Sequence, residues 1–600
     1  MNRAAGVVFG LLVAASVAAF FLAQRVKSTP AAVARFSVTP FCSPNGDGRF
    51  DGCRAAFLLK KGDDVTVRVV GRDDEVVDTL VSDQSLPAFR NLRVLWRGRA
   101  AGGGRVRDGA YHFEVTLRRQ GRSILLPRPF SLDTTPPRPL VTSIGPQADK
   151  VPRPELFPNP QGRPLEIHVR SPSTTKPTFV EIYRTDPRPS GEPVVELGSL
   201  KGSGTVRWDG TVHGRRVQPG TYVVAVRTRD RAGNLGSSPA VLPPQPGYGQ
   251  TLPGRGGITI RYLGVQPPLD APVVTGEKAL FGVDARRAAY TWSVRHVGEA
   301  RPRKRGSGTR PNLTIAAPGR RSGLYLLQLR TRRHATAVPF AVQGLHRERV
   351  LVVLPALLWQ GTNPYDDDGD GLPDTLTRGV PVLRDRVLVR GLPDDLVRRV
   401  APLLIFLDHA RLRYDLTTDL ALAAGVGPPV DGHRGVVLAG DERWIPSDLA
   451  KVLTGYVRRG GRLATFGTDS LRRTVRLTPH RLLDPTTAAP TDALGFEARP
   501  LVRRPTTLTA ADDRIDLFRG DVFGGTGVFS GLTAFEPVVP PPGARVLAQA
   551  TTPSATAGIL AARIGRGMAI RVGLPDLSAR LSHPGNETAL VKRIWGLLAE

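Results

Sequence analysis

Three hydrophobic patterns divide the chain. Residues 4–23, AAGVVFGLLVAASVAAFFLA, are apolar without a break between Arg3 and Arg25. Twenty helical residues rise about 30 Å, the hydrocarbon thickness of a bilayer, so this stretch predicts a single-pass membrane anchor. A cleaved signal segment is the competing reading for residues 1–30. Its best small-x-small site, Ala32-Val33-Ala34, lies well beyond the apolar run. From there to about residue 345 apolar and polar residues alternate in short runs, as in Val65-Thr66-Val67-Arg68-Val69-Val70 and Tyr290-Thr291-Trp292-Ser293-Val294. A period of two between Gly- and Pro-rich turns predicts strands packed as β-sandwiches. The third pattern begins at 349–355, RVLVVLP, and returns at 403–408, 435–442, 462–469 and 568–575. Continuous apolar runs fit strands covered on both faces. With helices expected at 447–459 and 588–598, they predict an α/β domain with a mainly parallel sheet.

An internal repeat sets the boundaries. Residues 94–111, VLWRGRAAGGGRVRDGAY, align with 206–222, VRWDGTVHGRRVQPGTY, so Trp96, Gly98, Gly109 and Tyr111 match Trp208, Gly210, Gly220 and Tyr222. A spacing of 112 residues between the tryptophans is the size of a domain. The expected organisation is a membrane or signal segment at 1–30 and Ig-like β-sandwiches at 31–138 and 139–245. A third sandwich at 250–345, after the linker VLPPQPGYG (241–249), leads into the α/β domain at 346–600.

Charge changes this picture little. The net charge is +30, carried by 73 Arg and 10 Lys. The arginines are spread along the strands, and the densest run, 301–305, lacks the interleaved aromatics of a single-strand-binding platform. Nucleic acid is therefore not the expected partner; the charge reads first as an Arg-biased solvated surface, with an envelope glycan or protein as the alternative. The two cysteines, Cys42 and Cys53, flank a turn-rich loop and predict a disulfide, hence an oxidising, extracytoplasmic compartment.

Two loops carry candidate metal chemistry. SPNGDGRFDG (43–52) places Asn45, Asp47 and Asp51 around Gly46 and Gly48, and YDDDGDGLPD (365–374) supplies Asp366, Asp368, Asp370 and Asp374. Oxygen ligands at odd spacings around glycine suit calcium. The second loop fills positions 1, 3, 5, 6 and 9 of an EF-hand-like loop, with Thr377 at position 12 in place of the bidentate Glu. In an α/β sheet the ligand crevice lies beyond the carboxyl ends of the strands. That rule gathers Trp359, Gln360, Asn363, Asp408, His409, Asp441, Glu442 and Asp469. Asp408, His409, Asp441 and Glu442 are the candidate catalytic set. No Cys follows position 53, and neither GxSxG nor HExxH occurs.

The Trp-(Asp/Arg)-Gly…Gly-x-Tyr phrase and the SPNGDG loop resemble the Ig-like modules of flagellar hook-assembly (FlgD-like) proteins, over about 36–240. Such modules imply spacers or adhesion units. Residues 255–600 resemble the large subunit of N,N-dimethylformamidase, through SGLYLLQL, RVLVVLPALLWQGTN and VVLAGDERWIPSDLAKVLTGYVRRGGRLATFGTDS. That resemblance implies a β-sandwich joined to a glutamine-amidotransferase-like α/β domain, with two tyrosines and a glutamate holding one iron. The family phrase TWQAYN reads LWQGTN here, with Thr362 in the tyrosine position. GHDEYW reads AGDERW, with Gly440 for His and Arg443 for Tyr, while Glu442 and Trp444 match. The expectation is a membrane-anchored extracytoplasmic protein whose Ig-like modules present a non-catalytic dimethylformamidase-like binding domain without iron. The alternative is a surface hydrolase of an amide or related C–N bond.

Overall fold

The computed structural model describes residues 3–27, 32–145, 164–173, 175–245, 256–285, 288–319, 321–519 and 526–600. Part of the expected linker, 246–249, lies outside them. Strand accounts for 41% of the chain and helix for 13%, so β-structure dominates throughout.

The N-terminal helix runs Arg3–Lys27, and its side chains are described over 8–20. Among the described residues no helix is long and apolar enough to cross a membrane. The expected single-pass anchor, and the membrane location built on it, are corrected accordingly.

The first module is a sandwich of two sheets. One has the order Val33–Val38, Cys53–Leu59, Asn91–Trp96. The other is built around Asp63–Val70 and Gly109–Leu117. Strict alternation of buried and exposed positions in Cys53–Leu59 and Gly109–Leu117 turns one face of each strand inward. Trp96, Phe113 and Phe130 fill the centre, with the two phenylalanine rings stacked at 4.6 Å. The Cys42–Cys53 disulfide is formed. Closing this loop of eleven positions is worth about 2.5–3 kcal/mol. Cys42→Ala/Cys53→Ala should therefore lower the denaturation midpoint of residues 32–145, read by the fluorescence of Trp96. An unchanged midpoint would show that the bridge stabilises nothing.

The repeat holds at the level of atoms. Trp96 Nε1 donates to the carbonyl three residues on, Arg99 O at 2.7 Å, and Trp208 Nε1 does the same to Thr211 O at 3.1 Å. The Tyr111 hydroxyl donates to the carbonyl four residues back, Arg107 O, and the Tyr222 hydroxyl to Gln218 O, both at 2.7 Å. Cys53 faces Trp96 across the sheet as Leu165 faces Trp208. The two modules meet where the SPNGDG loop touches the turn before Asn234, whose amide oxygen accepts from Ser43 Oγ and Asn45 Nδ2.

Two boundaries differ from expectation. Gly257–Ile260 pairs with Gly220–Arg229 and buries Ile258 and Ile260 in the second module, so it is a strand of that sandwich and not of the third. The third sandwich is built from Gly264–Gln266 onward, with Phe281, Tyr325 and Phe340 at its centre.

The C-terminal half is organised on one nine-stranded sheet. Its order is Asp415–Thr418, Val350–Leu354, Gly435–Leu438, Arg462–Thr465, Gly567–Val572, Ala557–Ile564, Arg545–Thr551, Thr506–Asp513, Val528–Leu532. The first five strands pair in parallel and the remaining contacts are antiparallel. The expected mainly parallel α/β domain is therefore corrected to a large mixed β-sheet. Ala557–Ile564 and Gly567–Val572 are joined by a tight turn with Gly565 at φ 59°, and such a turn dictates an antiparallel neighbour where a helical crossover would have given a parallel one. The run at 403–408, expected as a strand, lies in the helix Ala401–His409, with Leu403, Leu404 and Leu407 buried. Burial at i, i+1 and i+4 is a helical stripe, which a short apolar run does not distinguish from a strand.

Candidate functional site

Val350–Leu354 lies between Asp415–Thr418 and Gly435–Leu438, so connections leave it in opposite directions. A crevice opens at that point beyond the carboxyl ends, as the topology requires. It has a volume of about 330 Å³, and its walls include Trp359, Asn363, Asp395, Arg399, Asp441 and Arg443. Trp359 rides on the short helix Ala356–Gly361, and its indole N–H donates to Asp395 Oδ2 at 3.3 Å. Asn363 clamps the opposite wall, donating to Val387 O at 2.9 Å and accepting from Val389 N at 3.0 Å. Asp441 is the hub. It accepts from Thr468 N at 2.8 Å, pairs with Arg443 at 3.0 Å, and is also bridged by Arg399. Burial, aided by the nearby Asp441, raises Asp395 to about 6.

Glu442 does not line this crevice. It is 3% exposed and hydrogen-bonded to Asp419. Burial pushes Glu442 well above the carboxylate range, with the Asp419 charge adding to the effect. Asp419 is itself raised by burial to about 7. Asp419 also accepts from Leu357 N at 3.0 Å, holding the first turn of the helix that carries Trp359. Nothing local in the sequence marks Asp419; the Thr418 N-cap beside it is the one signal.

Asp408 and His409 are elsewhere. Because 401–409 is helical, they face a separate cavity against the third sandwich, together with His296, Glu299, Arg303 and Tyr325. Asp408 accepts from the Tyr414 hydroxyl at 3.1 Å and stands 3.7 Å from His296 Nε2. Asp469 is held by Arg472 and Arg473. Of the four candidate catalytic residues, Asp441 and Glu442 are neighbours with different surroundings, and Asp408 and His409 belong to another place.

The carboxylate loops also differ from each other. Asp366, Asp368 and Asp374 bring one oxygen each within 4.8 Å of one another. Asp366 is fully buried and accepts from Gly369 N at 2.6 Å and Gly371 N at 2.8 Å. Burial drives Asp366 well above its usual range, Asp370 to about 6 and Asp374 to about 7. The loop is lodged against the second sandwich: Gly257 N donates to Gly369 O at 2.9 Å, and Thr185 Oγ1 to Gly371 O at 2.6 Å. Behind it Arg386, 2% exposed, reaches Asp367 at 3.3 Å, Asp374 O at 2.9 Å and the carbonyl of Gln360. Backbone amides donate to the oxygens of the first loop as they do in the second, where Asp367 N donates to Asp374 at 2.6 Å and Asp370 N to Asp368 at 3.0 Å. Asp51 accepts from Gly46 N and Gly48 N at 2.8 Å, Asn45 from Asp47 N at 3.0 Å, and Asp47 from Arg49 N at 2.8 Å.

Iron held by two tyrosines and a glutamate is what the resemblance of this region implies, and the donors present do not fit it. The Thr362 hydroxyl is committed to Leu358 O at 2.7 Å, Arg443 places a cation on Asp441, and Glu442 is buried against Asp419 outside the crevice lining. Among the described residues no tyrosine lines the crevice.

Solved structures overlap parts of the chain. The GH42 β-galactosidase Gan42B from G. stearothermophilus is 12% identical over 38% of this chain, with a TM-score of 0.23; the chain spans 28% of that enzyme. Sidekick-1 immunoglobulin domains 1–5 are 11% identical over 53% of this chain and 60% of theirs, with a TM-score of 0.19. The fibronectin(III)-like modules of Clostridium thermocellum CbhA are 13% identical over 38% of this chain and 93% of theirs, with a TM-score of 0.18. No curated protein matches the sequence. One family model does, and it spans the third sandwich's last strands, the crevice and the second carboxylate loop: residues 309–499 match the N,N-dimethylformamidase beta subunit-like, C-terminal family.

Proposed function

We propose that the chain is a multi-module binding protein, in which tandem β-sandwiches, the first two akin to FlgD-like Ig modules, carry a dimethylformamidase-like domain that binds without hydrolysing. The observation that supports this is the double guanidinium clamp of Arg399 and Arg443 on Asp441. Two cations at the crevice oppose a third, metallic one, and by pairing with its best-placed carboxylate they lower the basicity of that group. The hydrolase reading needs Asp408, His409, Asp441 and Glu442 to converge, and they occupy three surroundings. The test is to incubate the full chain with ferrous iron, desalt it, then measure bound iron and formate release from N,N-dimethylformamide. Neither bound iron nor turnover is expected. Turnover abolished by Glu442→Gln would establish the enzyme instead.

The second carboxylate loop is proposed to hold calcium through Asp366, Asp368 and Asp374, with Asp370 beside them. The carboxyls, Asp366 buried, Asp374 half-buried and Asp368 exposed, repel one another, and a divalent cation would offset that repulsion. Millimolar calcium should raise Tm by several degrees and leave an Asp368→Ala/Asp374→Ala variant unmoved. An equal rise in both proteins would remove the ion from this loop.

A further inference from the structure

We infer that the outer face of the sheet Val33–Val38, Cys53–Leu59, Asn91–Trp96 is a binding surface for an acidic polysaccharide. The outward positions of these strands carry Arg35, Arg54 and Arg93, all exposed. The three strand sequences, VARFSV, CRAAFLL and NLRVLW, contain no Asp or Glu. No ion pair engages any of the three guanidiniums among the described residues, although the chain pairs most of its partly buried arginines elsewhere. Ser37, Thr39 and Asn91 alternate with the arginines along a shallow groove of about 700 Å³, beside the exposed Leu95.

The repeat supplies an internal control. Cys53 opposite Trp96 corresponds to Leu165 opposite Trp208, so Arg54 occupies the position of Glu166, and Leu95 that of Arg207. In the second module Glu166 neutralises Arg207 at 2.9 Å. In the first, the acid is replaced by a base and its partner by an aliphatic side chain. At this pair of positions the face holds an ion pair in the second module, beside the exposed Arg170, and a base without an acidic partner in the first.

The spacing and chemistry select the ligand. Ala56 faces Arg93, so Arg54 is offset from Arg93 by two residues on the adjacent strand, about 8 Å between Cα atoms. Guanidinium forks hold carboxylates and sulfates bidentately, and the interleaved hydroxyl and amide groups suit a ligand rich in hydroxyls. Apart from Leu95 and the half-buried Leu58, the outward positions carry no large apolar side chain, and none carries an aromatic to anchor a protein partner or to stack on bases.

The full chain is titrated with polygalacturonate, with neutral dextran, with polyglutamate and with duplex DNA. Polygalacturonate should bind best and dextran not at all. Arg54→Glu/Arg93→Glu should weaken polygalacturonate binding by roughly tenfold to a hundredfold. Arg54→Glu installs the residue type the second module already carries at the equivalent position, so the sheet tolerates it, and an unchanged Tm checks this. A control of identical charge change, Arg332→Glu/Arg333→Glu, both exposed on the third sandwich, should bind as the parent does. Equal losses in the two variants would reduce the effect to diffuse charge and overturn the site. Tighter binding of polyglutamate or DNA through the same two arginines would overturn the ligand.

Discussion

Arg386→Met is expected to destabilise the C-terminal half by about 3–5 kcal/mol, the usual cost of breaking a buried ion pair on one side. The guanidinium is 2% exposed and joins Asp367 on the carboxylate loop to the carbonyls of Gln360 and Asp374. Methionine fills much of the volume but donates nothing. The two carbonyls are left without these donors, and Asp367 retains only Leu383 N, at 3.0 Å. Urea denaturation followed by fluorescence of the crevice tryptophan reads the loss. If the orphaned carboxylate is responsible, adding Asp367→Asn should recover about 1–2 kcal/mol. A loss under about 1 kcal/mol in the single variant would mean that the loop and the crevice helix are held by packing alone.

The second large effect is a dependence on pH. Asp419 is raised from its ordinary value to about 7, and Glu442 further above its own, both by burial. A carboxyl whose folded pKa is raised binds more protons folded than unfolded, so stability falls as pH rises between the two values. The stabilisation is complete below about pH 4 and fades on the way through pH 7, a change of a few kcal/mol. Glu442→Gln keeps a donor to Asp419 without the titrating proton. The variant should match the parent near pH 5 and exceed it at pH 8. Parallel Tm profiles would show that this pair does not set the slope.

What could be read from the sequence was local. The disulfide, the paired tryptophans and tyrosines and the DxDxDG loop each occupy a short window, and the geometry follows from the residues within it. The failures were failures of context. LLIFLD is as apolar as a buried strand, and only its packing turns it into the helix that carries Asp408 and His409 away from the crevice. The parallel runs at 349–355, 435–442 and 462–469 were legible; the antiparallel strands that complete the sheet depend on tight turns between segments that pattern alone does not order. Glu442 stood out through family resemblance, but Asp419, its partner, lies 23 positions away on another strand's end, where no motif connects the two. The N-terminal apolar run shows the opposite problem: its composition suggests a span, and among the described residues no helix is long and apolar enough to be one.

The lodging of residues 366–374 against Gly257 and Thr185 has a mechanical consequence. Tension applied along the chain would not reach the second sandwich and the C-terminal sheet in series, as it does in beads on a cord. It would load the acidic loop in shear, between two bodies that the backbone joins only through the third sandwich. Gly257 permits the close approach, because a Cβ there would lie 2.1 Å from an Asp366 oxygen. Rupture force between those two bodies would then be set by a nine-residue loop, and whatever fills or empties that loop would act as a clutch.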